Sequence, residues 1–93
     1  MNTTDIDKTL AERGSRYGTF AGHAEVSQAI KRVMANELAK RNKLIADDQW
    51  EALEMIAHKI ARIINGDADY SDSWIDIAGY SKLVADRLDG KVV

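Results

Sequence analysis

The apolar positions of this chain recur at three and four residues nearly throughout, the spacing of helices with one buried stripe. Val26, Ala29, Ile30, Val33, Met34 and Leu38 form one stripe and predict a helix from about His23 to Arg41, ended by Asn42-Lys43. Trp50, Leu53, Ala57, Ile60 and Ile64, widened by Ile56 and Ile63, predict a second from about Asp48 to Asn65, with Asp47 as its N-cap. Along it runs a polar stripe at the same spacing: Glu51, Glu54, His58, Arg62 and Asn65. Asn65-Gly66 is a stop signal. A third helix is expected from near Asp72 to about Leu88, apolar on more than one face through Trp74, Ile75, Ile77, Ala78, Tyr80, Leu83, Val84 and Leu88.

The N-terminal segment predicts a short helix capped by Thr3 or Thr4, carrying Ile6 and Leu10 at i,i+4 and stopping at Gly14. Three glycines in Gly14–Gly22 predict a loop there, pinned by Tyr17 and Phe20. Gly79 stands inside the last helix, where it costs roughly 1 kcal/mol relative to alanine and permits a neighbouring helix to come close. No segment alternates with the period of a strand. The fold class expected is all-α: a small bundle of three main helices and a short N-terminal one, a single domain over residues 1–93, completed by oligomerisation.

Composition narrows the function. Cysteine is absent, which removes thiolate zinc sites and cysteine nucleophiles, and proline is absent too. The formal net charge of -2 argues against direct nucleic-acid binding. No apolar run is long enough to cross a membrane, and Met1–Asp5 lacks the parts of a signal peptide, so a cytoplasmic protein is expected. Charge divides along the chain: residues 1–46 carry eight Lys or Arg against five Asp or Glu, and residues 47–93 five against ten.

Two groups of residues carry candidate chemistry. The acidic set is Glu51 and Glu54 on one helix with Asp72 and Asp76 on the next. Carboxylates projecting from paired helices hold Mg²⁺ in helical bundles. The alternative is a solvated face for the glutamates and a cap for Asp72. Asp76 lies among Trp74, Ile75, Ile77 and Tyr80, so it is expected to be largely buried and paired with Lys59 or Arg62. The second group, His58, Lys59 and Arg62, offers donors to phosphate oxygens, with Arg62 as a two-pronged donor. Tyr17 and Arg16 of the glycine segment can fold over a ligand, Tyr17 stacking on a base and Arg16 reaching a phosphate; the alternative is a plain connector. The segment is not a P-loop, because the Gly-Lys-Ser/Thr ending is missing.

Glu12-Arg13-Gly14, Tyr17-Gly18-Thr19-Phe20, Met55–Ile63 with its His58-Lys59-Ile60-Ala61-Arg62 core, Gly66, and Asp72–Tyr80 together resemble a family of small, uncharacterised proteins of phages and prophages. More distantly, the pattern is similar to nucleotide-modification-associated helical domains of phages. More distantly still, it is similar to all-α nucleoside triphosphate pyrophosphatases of the MazG and dimeric dUTPase type. The last resemblance implies carboxylates from two helices ligating Mg²⁺ around a triphosphate. Here Glu51-x-x-Glu54 and Asp72-x-x-x-Asp76 would stand for those motifs, the second with a different spacing. The expected protein binds a nucleotide or nucleotide-like ligand, forms a homo-oligomer (most simply a dimer), and extends at most to Mg²⁺-dependent pyrophosphate hydrolysis. The competing expectation is a phage accessory protein that binds a host protein.

Overall fold

The computed structural model describes residues 3–93, and every regular element among them is helical. The helices are α1 (Thr3–Tyr17), α2 (Phe20–Lys40), α3 (Asp47–Asn65) and α4 (Ser71–Leu88). The all-α class expected from periodicity is therefore the observed one. The capping role expected of Thr3 or Thr4 falls on side chains outside the described residues.

The N-terminal region differs most from expectation. Helix α1 runs straight through Gly14 and ends at Tyr17, where Gly18 turns the chain at a φ of 75°. Helix α2 then starts at Phe20, with Thr19 as its cap: the Thr19 hydroxyl accepts from the Gly22 N–H at 3.1 Å. The expected nine-residue loop is reduced to Gly18 and Thr19. Only Gly18 needs the left-handed conformation that glycine adopts freely. Gly14 and Gly22 are tolerated within helices because each costs only about 1 kcal/mol.

Helix α2 ends as the polar Asn42-Lys43 pair predicts. Asn42 takes a φ of 49°, and the Lys43 N–H donates back to the Leu38 carbonyl at 2.9 Å. Helix α3 starts one residue earlier than expected. Asp47 is helical rather than capping; Ala46 precedes it, its N–H held at 2.8 Å by Gln49 Oε1. Asp47 and Asp48 instead place negative charge in the first turn, where the helix dipole favours it. Asp72 is likewise inside the first turn of α4 and is not its cap.

Helix α3 is the centre of the molecule. Helices α2 and α4 each pack on it and not on each other, while α1 touches α2 and α3 more lightly. Small residues make this contact close: Ala52, Ala57 and Ala61 of α3, Ser27 of α2 and Ser73 of α4 are buried. The α3–α4 pair is antiparallel and is tied at one end by Arg87, whose guanidinium holds both Asp48 oxygens at 2.7 and 2.6 Å.

The larger stripe residues are not sealed in. Leu53, Ile64, Trp74, Ile75 and Leu83 remain exposed, and no large side chain is fully buried among the described residues. A three-helix layer has two outer faces and little interior, so the apolar stripes exceed what one chain can cover. The radius of gyration, 15.7 Å, exceeds the roughly 12 Å expected of a compact chain of this length.

Candidate functional site

The α1–α2 bend seats on the C-terminal end of α3, and the fit is close at four residues. Asn65 Nδ2 donates to the carbonyls of Tyr17 at 2.7 Å and Thr19 at 2.9 Å. A Cβ on Gly18 or Gly22 would collide with Asn65, and one on Gly66 would collide with the Arg16–Tyr17 backbone. The Asp67 N–H donates to the Arg16 carbonyl at 2.6 Å. These contacts place Tyr17 next to Arg62, one turn back along α3.

The result is a groove of about 560 Å³ between α1, α2 and α3. Leu10, Arg13 and Tyr17 line it from α1, Phe20 and His23 from α2, and His58 and Arg62 from α3. The Arg62 guanidinium lies over the Tyr17 ring, 4.3 Å from its centroid. Phe20 is 82% exposed, a large aromatic face left uncovered at the groove. The lining includes two arginines and no carboxylate.

At the groove wall, His23 Nε2 and His58 Nδ1 are 3.2 Å apart, with the rings edge to face. His23 is buried, and its Nδ1 is enclosed with no hydrogen-bond partner among the described residues. Burial lowers the pKa of both imidazoles, and the positive charge of Arg62, Lys59 and Lys31 lowers them further. For His58 the value falls to about 4, with His23 adding to the effect of burial. Both rings are therefore neutral at neutral pH. His23 is a site residue that the sequence patterns do not single out, because it lies on a different helix from His58. The signal available was a polar i,i+4 pair on α2, His23 and Ser27, both of which are buried.

The expected ligand-binding residues divide. Tyr17, His58 and Arg62 line one groove, as a single site requires. Arg16 points elsewhere: it stacks on Tyr70 at 4.9 Å and donates to the Tyr70 hydroxyl at 3.2 Å. Lys59 faces α4 and pairs with Asp76 at 2.9 Å.

The acidic residues do not assemble within one chain. Tyr70 donates its hydroxyl to Asp72 Oδ2 at 2.9 Å, a bond that raises the phenol pKa. Asp76 is held by Lys59, Glu51 is exposed and Glu54 is half-buried. Among the described residues, no three His, Asp or Glu side chains converge on a point where a metal ion would sit. The axial offset of antiparallel helices explains this: Glu51 lies near the start of α3, and Asp72 lies near the start of α4, opposite the end of α3.

The Lys59–Asp76 pair expected from sequence is present, but its burial is reversed. The Lys59 side chain is 11% exposed and that of Asp76 46%. The lysine stem runs through the interface while the carboxylate meets it from the edge.

The protein is thus a small all-helical one that carries an arginine-bearing groove lined by no carboxylate. The chain belongs to the DUF6378 family, a domain of unknown function, whose family model matches residues 5–88. No curated protein and no solved structure shows significant similarity to it. Among the described residues, no helix is long and apolar enough to cross a membrane.

Proposed function

We propose that this protein binds a nucleotide or nucleotide-like ligand in the groove between α1, α2 and α3. The observation that carries the reading is the pairing of Arg62 with Tyr17 beside exposed Phe20, in a groove with no carboxylate. Arginine edges recognise phosphate oxygens, and aromatic faces accept a base. Arg62 makes no ion pair among the described residues, so its outer N–H groups are available to an anion. A nucleotide panel followed by thermal denaturation tests this. A ligand at 100 times its Kd adds about 2.7 kcal/mol to stability. Arg62→Gln should remove the shift, and absence of a shift with every nucleotide overturns the reading.

The Mg²⁺-dependent pyrophosphohydrolase reading needs carboxylates that one chain does not bring together, so it requires a second copy to complete the set. A second copy is also part of the proposal. The chain exposes 6713 Å², roughly 1,300 Å² more than the 5,400 Å² or so of a compact monomer of 10.3 kDa. A standard interface removes about 800 Å² from each partner. The same exposed apolar surface supports the alternative, an accessory protein that docks on a host protein. The nucleotide panel separates the two: a thermal shift favours the first, and no shift with any nucleotide favours the second.

A further inference from the structure

Two imidazoles in contact need a definite arrangement of protons. His23 Nε2 and His58 Nδ1 face each other at 3.2 Å, and one N–H lies between them. His23 Nδ1 is buried without a partner among the described residues. An enclosed nitrogen lone pair is cheaper to leave unpaired than an enclosed N–H donor. The hydrogen-bond network therefore assigns the proton of His23 to Nε2, donating to His58 Nδ1. Neutral His58 then carries its own proton on Nε2. That nitrogen has no protein partner among the described residues and is not sealed from solvent. It is the donor this pair can present to a ligand at the groove wall.

The charged groups around the pair are cationic on three helices. Arg13 of α1 lines the same groove, Lys31 of α2 acts on both rings, and Lys59 and Arg62 of α3 do the same. The carboxylate of Asp76 on α4 is engaged by Lys59. In the empty groove this positive field keeps the imidazoles neutral. An anion seated among them reverses the balance, because it cancels the field that opposes a third proton on the pair.

We infer that the His23–His58 pair takes up one proton when a phosphoryl oxyanion settles against Arg62, so that ligand binding in this groove is linked to pH. This rests on the nucleotide-binding reading and adds the regulation of that site. The protons balance simply. The empty pair holds two, on His23 Nε2 and His58 Nε2. The occupied pair holds three: His58 keeps its Nε2 proton, the shared proton passes to His58 Nδ1, and the incoming proton enters at His23 Nδ1, where the enclosed N–H carries a cost that the charge-assisted bonds of His58 to the oxyanion and to His23 must exceed. Imidazolium His58 then donates to the oxyanion from Nε2 and to His23 from Nδ1.

The test follows both histidine ring signals by NMR from pH 4 to 8; the chain has only these two histidines, and His23→Gln assigns them. The probes are inorganic sulfate and the dinucleoside monophosphate of uridine, neither of which titrates in that range. With a saturating probe the pair should titrate at least about one pH unit higher than without it. The dissociation constant should then tighten about tenfold per pH unit as pH falls through the window between the two titrations. In His58→Gln the affinity should lose this pH dependence. A probe that binds the wild type without moving either titration overturns the proton link and leaves the binding reading standing. Failure of both probes to bind at the lowest pH at which the chain stays folded, where the proton link makes the site most receptive, overturns the proton link; the nucleotide panel then decides the binding reading separately.

Discussion

Asn65 reaches from the last turn of α3 to the carbonyl of Tyr17, the last residue of α1, at 2.7 Å, and the same amide nitrogen meets the Thr19 carbonyl. One side chain thus satisfies two backbone acceptors at the point where the chain leaves one helix and enters the next. Asn65→Ala takes this donor from the Tyr17 carbonyl, leaves the Thr19 carbonyl only the His23 N–H at 3.0 Å, and opens a void against Gly18 and Gly22. Such losses cost about 1–3 kcal/mol. Urea denaturation should show a loss of that size, and a variant as stable as wild type would show that the bend is held by other contacts.

Lys59 and Asp76 join α3 to α4 with unequal burial, and this fixes the sign of their mutational effects. Asp76→Ala strands an ammonium that is nearly enclosed, whereas Asp76 itself regains water easily. The expected loss is about 1–3 kcal/mol, less than for a pair buried at both ends. Replacing both, Lys59→Met with Asp76→Ala, should recover most of it, since an apolar side chain fills the same passage without a charge. A double variant less stable than Asp76→Ala would contradict this reading in a denaturation experiment.

Helix type and number were legible because the three-and-four spacing is sustained through each main helix. The stop at Asn65-Gly66 was legible too, but the one expected at Gly14 was not. Gly14 and Gly18 look alike in sequence, and only the contact with Asn65, 47 residues further on, makes Gly18 the turning point. Tyr17, His58 and Arg62 could be named as binding residues because their chemistry is local. Their grouping, and the recruitment of His23, depends on which face of α2 meets α3. Arg16 sits next to Tyr17 yet turns to Tyr70, since adjacent helix positions point about 100° apart. The alanine-lined centre was legible only in part. Ala57 stood in the expected stripe, but Ala52 and Ala61 belong to faces that become interior once α3 is covered from two sides.

Acid should unfold this protein earlier than carboxylate titration alone requires. His58 has a folded-state pKa of about 4 against an ordinary 6.5, and His23 is lowered as well. The unfolded chain therefore binds more protons than the folded one between those values. Stability is full above about pH 6.5 and falls as pH drops toward 4. Thermal melts across that range should show a steady decline in wild type. In His58→Gln the part of the decline above pH 5 should shrink. A wild-type melting temperature that is flat from pH 6.5 to 5 would place the two imidazoles in a more polar setting than the one seen here.

The outer face of α4 makes the last prediction. Ile75 is 63% exposed and Leu83 49%, and with Ala78 and Gly79 they form one stripe at helical spacing. A Cβ on Gly79 would meet nothing within 4 Å among the described residues, so none of them explains a glycine at the middle of this helix. A glycine there costs stability and gives a second helix room to approach closely. Two copies packed through this stripe would cover the isoleucine and leucine and use the space at Gly79. Sedimentation equilibrium should therefore find a dimer at about 50 μM, in the range where interfaces of standard size are populated. Ile75→Glu with Leu83→Glu should give a monomer that keeps its helical circular dichroism, because both residues already face outward. Gly79→Leu should weaken the dimer without touching the protomer, whereas a monomeric wild type at that concentration, or a dimer indifferent to all three changes, would remove α4 as the contact face.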